Sequence, residues 1–182
     1  MNYSYSNDFI DGGAAIHRYD YDKMNKIDPS YHFDDIIRWI VRTINAGVRH
    51  ALNLAQLNDS GKKFQGWKSS AMRFATPSTE KKPITWAMLC CRYGYAIEQY
   101  VNEHISSHPY ADEFSVSTQS RRGQTIPDIV VSSRGEEIAW VDITSENSVC
   151  HIYKKKGGKW TTAPVVIELA YPALTFSQIS FT

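Results

Sequence analysis

No run in this chain is long and apolar enough to span a bilayer, and the polar N-terminus lacks the apolar centre of a secretory signal. The expectation is a protein soluble as written. Cysteine is scarce: the three present, Cys90, Cys91 and Cys150, form no spaced Cys/His set of the kind that holds structural zinc. The Cys150-His151 pair makes a poor thiol dyad, because neighbours on a helix project about 100° apart. An excess of either charge is missing too. With a formal net charge of +1, attachment to nucleic acid has to rely on local basic patches. Internal repeats and low-complexity runs are absent from the sequence.

What the chain does have is a pair of aspartates set to meet. The run Pro127-Asp128-Ile129-Val130-Val131-Ser132 reads as a strand that turns at Ser133-Arg134-Gly135-Glu136 into a second strand ending Val141-Asp142-Ile143-Thr144. Alternation along that second strand sends Trp140, Asp142 and Thr144 one way and Ala139, Val141 and Ile143 the other. The hairpin lets Asp128 approach Asp142, which is the geometry of a divalent-metal site. The bland alternative is two strand-ending aspartates that cap turns and meet water.

Upstream, a helix is expected from Pro83 to about Ser106, with Ile84, Ala87, Cys91, Tyr95, Val101 and Ile105 on one face. Glu98 falls within that stripe, aimed inward, or else sits at its edge paired with an arginine. After Thr144, Ser145 offers an N-cap with Glu146 in the first turn, and Lys154 to Lys156 followed by Gly157-Gly158 offers a stop, so a short helix is expected. Val165 to Tyr171 reads as a largely buried strand, and Phe114 to Thr118 as another. The order is helix, three strands, helix, strand.

The N-terminal half is expected to support rather than react. Met1 to Pro29 reads as irregular structure or a partly ordered arm, and Tyr31 to about Leu57 as an amphipathic helix. Asn58 to Lys82 reads as a long loop whose Phe64, Trp67 and Phe74, interleaved with lysines, either stack on bases or, more simply, cover the core. This divides the chain into residues 1–82, an arm, helix and loop packed on the core, and residues 83–182, the core itself. Candidate basic patches are Arg121-Arg122, Lys154 to Lys159, and Lys62, Lys63, Lys68 and Arg73.

The order of elements and the placing of the acids resemble the PD-(D/E)XK, or restriction-endonuclease-like, nucleases over roughly Pro83 to Tyr171. The resemblance implies an α/β fold: a central mixed β-sheet flanked by helices, an αβββαβ core carrying an N-terminal helical extension. It implies Glu98 as the helix acid, Asp128 as the second-strand aspartate and Asp142 as the third-strand acid, together binding Mg²⁺ or Mn²⁺. Thr144 stands where the family places lysine. Either Lys155, with Lys154, from the following helix or His151 as acid or base would then replace it. An altered third strand of this kind resembles the toxin-type members. That likeness implies a secreted or delivered effector domain, a DNA or RNA substrate and an immunity protein as partner. The rival reading is an inactive nuclease-fold module that binds nucleic acid or a protein.

Overall fold

The computed structural model describes residues 9–10, 14–19, 31–59, 61–77, 79, 82–105, 114–148, 160 and 162–179. They form a mixed α/β structure in which one sheet, of strand order β1-β2-β6-β5-β4-β3, is covered on one side by helices. Three strands, β3 (Phe114–Thr118), β4 (Ile129–Ser133) and β5 (Glu136–Ser145), make an antiparallel meander. The last long strand, β6 (Val166–Tyr171), lies parallel to β5. β1 (Phe9–Ile10) and β2 (Ala14–Tyr19) extend the sheet on the β6 side, where the sequence suggested irregular chain. The correction has a simple cause. Without them β6 would be an edge, and the ladder from Ala15 to Tyr19 satisfies its outer hydrogen-bonding groups.

The β4–β5 hairpin turns where the sequence places it. Arg134 and Gly135 both have positive φ, 50° and 85°, the sign a two-residue type I′ turn demands. A bulge between Val131 and Ser132 shifts the register, after which Ile129 pairs with Val141. The next residue outward, Asp128, is thereby level with Asp142.

The helices are α1 (Tyr31–Leu52), α2 (Lys62–Ala75) and α3 (Trp86–Ile105). In α1 the stripe Phe33, Ile36, Ile37, Ile40, Val41, Ile44, Val48 and Ala51 is buried as its periodicity requires. The helix ends at Leu52 and continues as a 3₁₀ stretch, Leu54–Asp59, so it is shorter than the spacing suggests. α1 and α2 both pack on α3. Gly47 permits the first contact, since a Cβ there would stand 3.2 Å from Tyr100 Cβ.

α2 occupies part of the expected long loop. Phe64, Trp67 and Ala71 are spaced to share a helical face and all are buried, and the Trp67 Nε1–H donates to the Ala51 carbonyl at 2.7 Å. That packing outweighs the helix-weakening effect of Gly66. Phe64 and Trp67 therefore cover the core, the role expected of them.

The two faces of the sheet differ. Ile129, Val131, Val141, Ile143, Ile167 and Leu169 join the large core beneath the helices. Val130, Trp140 and Val166 face the other way, into a small cluster with Trp160 and Ala163, where the Trp140 and Trp160 rings meet edge to face at 5.6 Å. Asp142 and Thr144 alternate with Val141 and Ile143 and so share the side of Trp140, as the sequence indicates. Among the described residues, no helix is long and apolar enough to cross a membrane.

Candidate active site

At the carboxyl ends of the parallel strands β5 and β6 the sheet opens into a cleft of about 500 Å³. Ligand sites of open α/β sheets favour such strand ends. One wall is α3, which contributes Cys91, Tyr95 and Glu98. The floor is Asp128, Asp142 and Thr144, and Tyr171 closes the β6 side. The four strand and helix residues expected from the sequence thus line one cavity.

Each is held differently. Asp128 lies just outside β4, and its carboxylate takes over where the backbone ladder stops: Oδ2 accepts the Ile143 N–H at 2.8 Å and Oδ1 accepts from the Gln119 amide at 3.2 Å. These bonds orient the group. Asp142 is 3% exposed and Thr144 6%, the first inside β5's buried half and the second at its end. Glu98 lies on the margin of α3's core stripe, with 22% of its side chain exposed and Oε2 3.7 Å from Lys63 Nζ. The sequence offered inward aim or an arginine partner. The partner is a lysine from α2, and the group faces the cleft.

The expected apolar stripe of α3 is corrected. Leu89, Tyr93, Ala96 and Ile97 join Val101 and Ile105 in the core, whereas Ala87, Cys91 and Tyr95 are exposed. Cys91, Tyr95 and Glu98 follow one another at spacings of four and three, so they share a face, and that face is the cleft wall. The helix therefore has two apolar-looking faces. Periodicity alone merged them.

Where the sequence starts a short helix after Thr144, the described residues hold a 3₁₀ turn, Glu146–Ser148, and Ser145 Oγ accepts the Asn147 N–H at 3.4 Å in the expected capping manner. Cys150, His151 and the lysines Lys154, Lys155 and Lys156 lie outside the described residues. Of the basic patches, Arg122 is committed elsewhere. Its Nε donates to Glu137, whose other oxygen accepts the Trp140 Nε1–H at 2.7 Å, so it braces the small tryptophan cluster. Arg73 is likewise engaged, donating to the Lys82 carbonyl at 2.7 Å. Among the described residues, Lys63 reaches the cleft wall, near Glu98 and 5.6 Å from the centre of the Tyr95 ring.

Two residues beside the floor carry chemistry that sequence reading passed over. Glu168 pairs in register with Asp142 and is 1% exposed, so two carboxylates stand side by side on parallel strands. The signal was available: a lone acid in the apolar run Val165 to Tyr171. Tyr171 is 7% exposed, and burial pushes its phenol well above the usual range, with the Glu98 carboxylate adding to the effect. It stays protonated at neutral pH and so can donate into the cleft. A Cβ on Gly94 would fall 2.5 Å from the Tyr171 hydroxyl, so only glycine lets that oxygen approach the helix so closely. Burial also raises the Cys90 thiol, with Cys91 adding, which disfavours the thiolate a nucleophile needs.

In donor type the acids suit a hard divalent cation, which prefers carboxylate oxygens. Their spacing is looser than a ligand shell: among the described residues no three His, Cys, Asp or Glu side chains stand close enough to hold a metal ion. No family model, curated protein or solved structure matches the chain.

Proposed function

We propose that the chain is a metal-dependent nuclease that hydrolyses phosphodiester bonds of DNA or RNA. The observation that carries this reading is the convergence of Glu98, Asp128, Asp142 and Thr144, from one helix and two strands, on a single cleft. The strand order lends support: a helix is followed by an antiparallel meander and a strand parallel to its last member, as the likeness to restriction-endonuclease-like nucleases leads one to expect.

In this reading Asp128 and Asp142 would hold Mg²⁺ or Mn²⁺, with Glu98 extending the site, and such an ion would supply positive charge at the phosphate and an acidified water. Gln119 and the Ile143 amide fix Asp128 for that task. Thr144 positions the attacking water or a phosphate oxygen, and the Tyr171 hydroxyl donates toward the charge that builds on phosphorus-bound oxygen. Water oxygen bonds to phosphorus as the ester P–O bond breaks; one water proton leaves to a base and the departing alkoxide gains a proton. His151 and Lys155 are the assigned candidates for that base and for the positive charge that Thr144 does not supply. A toxin-type effector with its own immunity protein is the biological setting this chemistry suits, a proposal resting on the sequence likeness.

A second reading, an inactive module that binds nucleic acid or a protein, is favoured by Thr144 and by the loose spacing of the acids. One experiment separates the two. The purified chain is incubated with plasmid DNA and total RNA in Mg²⁺ or Mn²⁺ and in EDTA, beside Asp142→Ala. Metal-dependent degradation lost in the variant is the expected result; no degradation of either nucleic acid transfers the conclusion to the module.

A further inference from the structure

Trp86 opens α3 and lines the cleft, and against it lies Phe176, from the 3₁₀ turn Phe176–Ile179 that follows β6. The rings are 4.0 Å apart at the centroids and within 15° of parallel. Phe74 supports the pair from α2, 5.7 Å from Trp86 and 6.0 Å from Phe176. Phe176 is nevertheless 66% exposed, the most open of the large hydrophobic side chains among the described residues.

That exposure is not the slackness of a loose end. Leu174 and Ile179 on either side of Phe176 are buried, and Gln178 Oε1 accepts the Thr175 N–H at 2.8 Å, so the turn is pinned and the ring is presented. One ring face rests on Trp86 and the rest of the ring is open, beside a cleft floored by carboxylates. Singly exposed apolar side chains are ordinary, but this one is held flat against a second ring that lines the cleft.

We infer that Trp86 and Phe176 form a stacking platform for a nucleobase at the mouth of the cleft, so that the preferred substrate is unpaired DNA or RNA. The inference rests on the nuclease reading for what the cleft does to the strand. A flat, open aromatic face beside a phosphate-processing cleft suits a base better than an aliphatic segment, and stacking tolerates any base because each has a π-face. Duplex nucleic acid is disfavoured on the platform, since a base must first be unstacked from its neighbours. Lys63, beside Tyr95 farther along α3, gives the strand's backbone a cationic contact at the opposite end of the same wall.

The test measures anisotropy of fluorescein-labelled oligothymidylate, oligouridylate and a duplex hairpin whose loop is a non-nucleotide glycol linker, in EDTA at elevated salt, with hydrolysis assayed separately in Mn²⁺. The unpaired probes should bind more tightly than the hairpin. Phe176→Leu, which keeps an apolar cover but removes the flat face, should weaken them by roughly ten-fold, with the hairpin unaffected and the melting temperature unchanged. Phe176→Tyr should restore binding. Native-like binding by Phe176→Leu, equal losses on both kinds of probe, or no binding of unpaired probe by the native chain each overturns the platform. If the native chain cleaves nucleic acid while Phe176→Leu binds normally, the platform fails and the nuclease stands. If unpaired probes bind through Phe176 but nothing is cleaved, the nuclease reading fails and the platform stands as a binding surface.

Discussion

Four consecutive residues of β5 set the two sides of the sheet against each other. Val141, Asp142, Ile143 and Thr144 are all buried, at 0%, 3%, 7% and 6% exposure. Burial does not distinguish them; their surroundings do. Val141 and Ile143 lie in the core beneath the helices, while Asp142 and Thr144 face the side of Trp140, with Glu168 next to Asp142. The first pair lowers the free energy of folding by removing hydrocarbon from water. The second pair works against it, because a buried carboxylate loses hydration that its partners only partly replace. A strand that accepts such a cost on one side keeps it for something other than stability.

The sharpest way to test that contrast is to neutralise the polar side without changing its shape. Asp142→Asn should lower hydrolysis by roughly a hundred-fold or more, yet leave the melting temperature unchanged or raise it, since it removes a charge beside Glu168. An Asp142→Asn chain that unfolds easily and still cleaves would reverse the assignment of the two sides. The converse change is Ile167→Ala on the helix side, where the residue is 1% exposed. It should cost about 2–5 kcal/mol in denaturant titration, while turnover below the melting range stays near native.

How much of this was readable follows from the same contrast. Period-two alternation made the orientation of Trp140, Asp142 and Thr144 legible, and the turn residues Arg134 and Gly135 fixed the hairpin that brings Asp128 level with Asp142. Local rules of that kind act within a few residues. Glu168 was legible as an anomaly but not as a neighbour of Asp142, because parallel pairing joins strands across a connection whose length sets no register. The α3 stripe misled for a related reason: Cys91 and Tyr95 look like core residues and line a cleft instead. Strand β2 and helix α2 were missed because each depends on a distant partner, the open edge of β6 for one and the Ala51 carbonyl and α3 for the other.

Between the two sides sits Gly94, packed against Tyr171 where core and cleft meet. Gly94→Ala puts a methyl group 2.5 Å from the Tyr171 hydroxyl position, so the ring has to shift. The expected cost is about 1–3 kcal/mol, read by thermal melting, together with slower hydrolysis if the phenol is a donor there. Tyr171→Phe on the native background separates the effects. Loss of rate without loss of stability assigns the hydroxyl to the cleft; loss of both assigns it to the core.

The smallest effect belongs to the contact that looks most like a stabilising bridge. Lys63 and Glu98 are 3.7 Å apart, with 45% and 22% of their side chains exposed. Water screens a pair so placed, and ordering a long lysine side chain offsets much of what attraction remains, so Lys63→Met should change stability by no more than about 0.5–1 kcal/mol. Its consequence should appear on the cleft instead. Removing the ammonium group leaves Glu98 freer to attract a divalent cation, while taking a positive charge from the wall along which the proposed substrate lies. Tighter Mn²⁺ binding by calorimetry, paired with a higher KM for nucleic acid, is the expected outcome. Unchanged metal affinity with a lowered melting temperature would instead make the bridge part of the scaffold, and Glu98 with it.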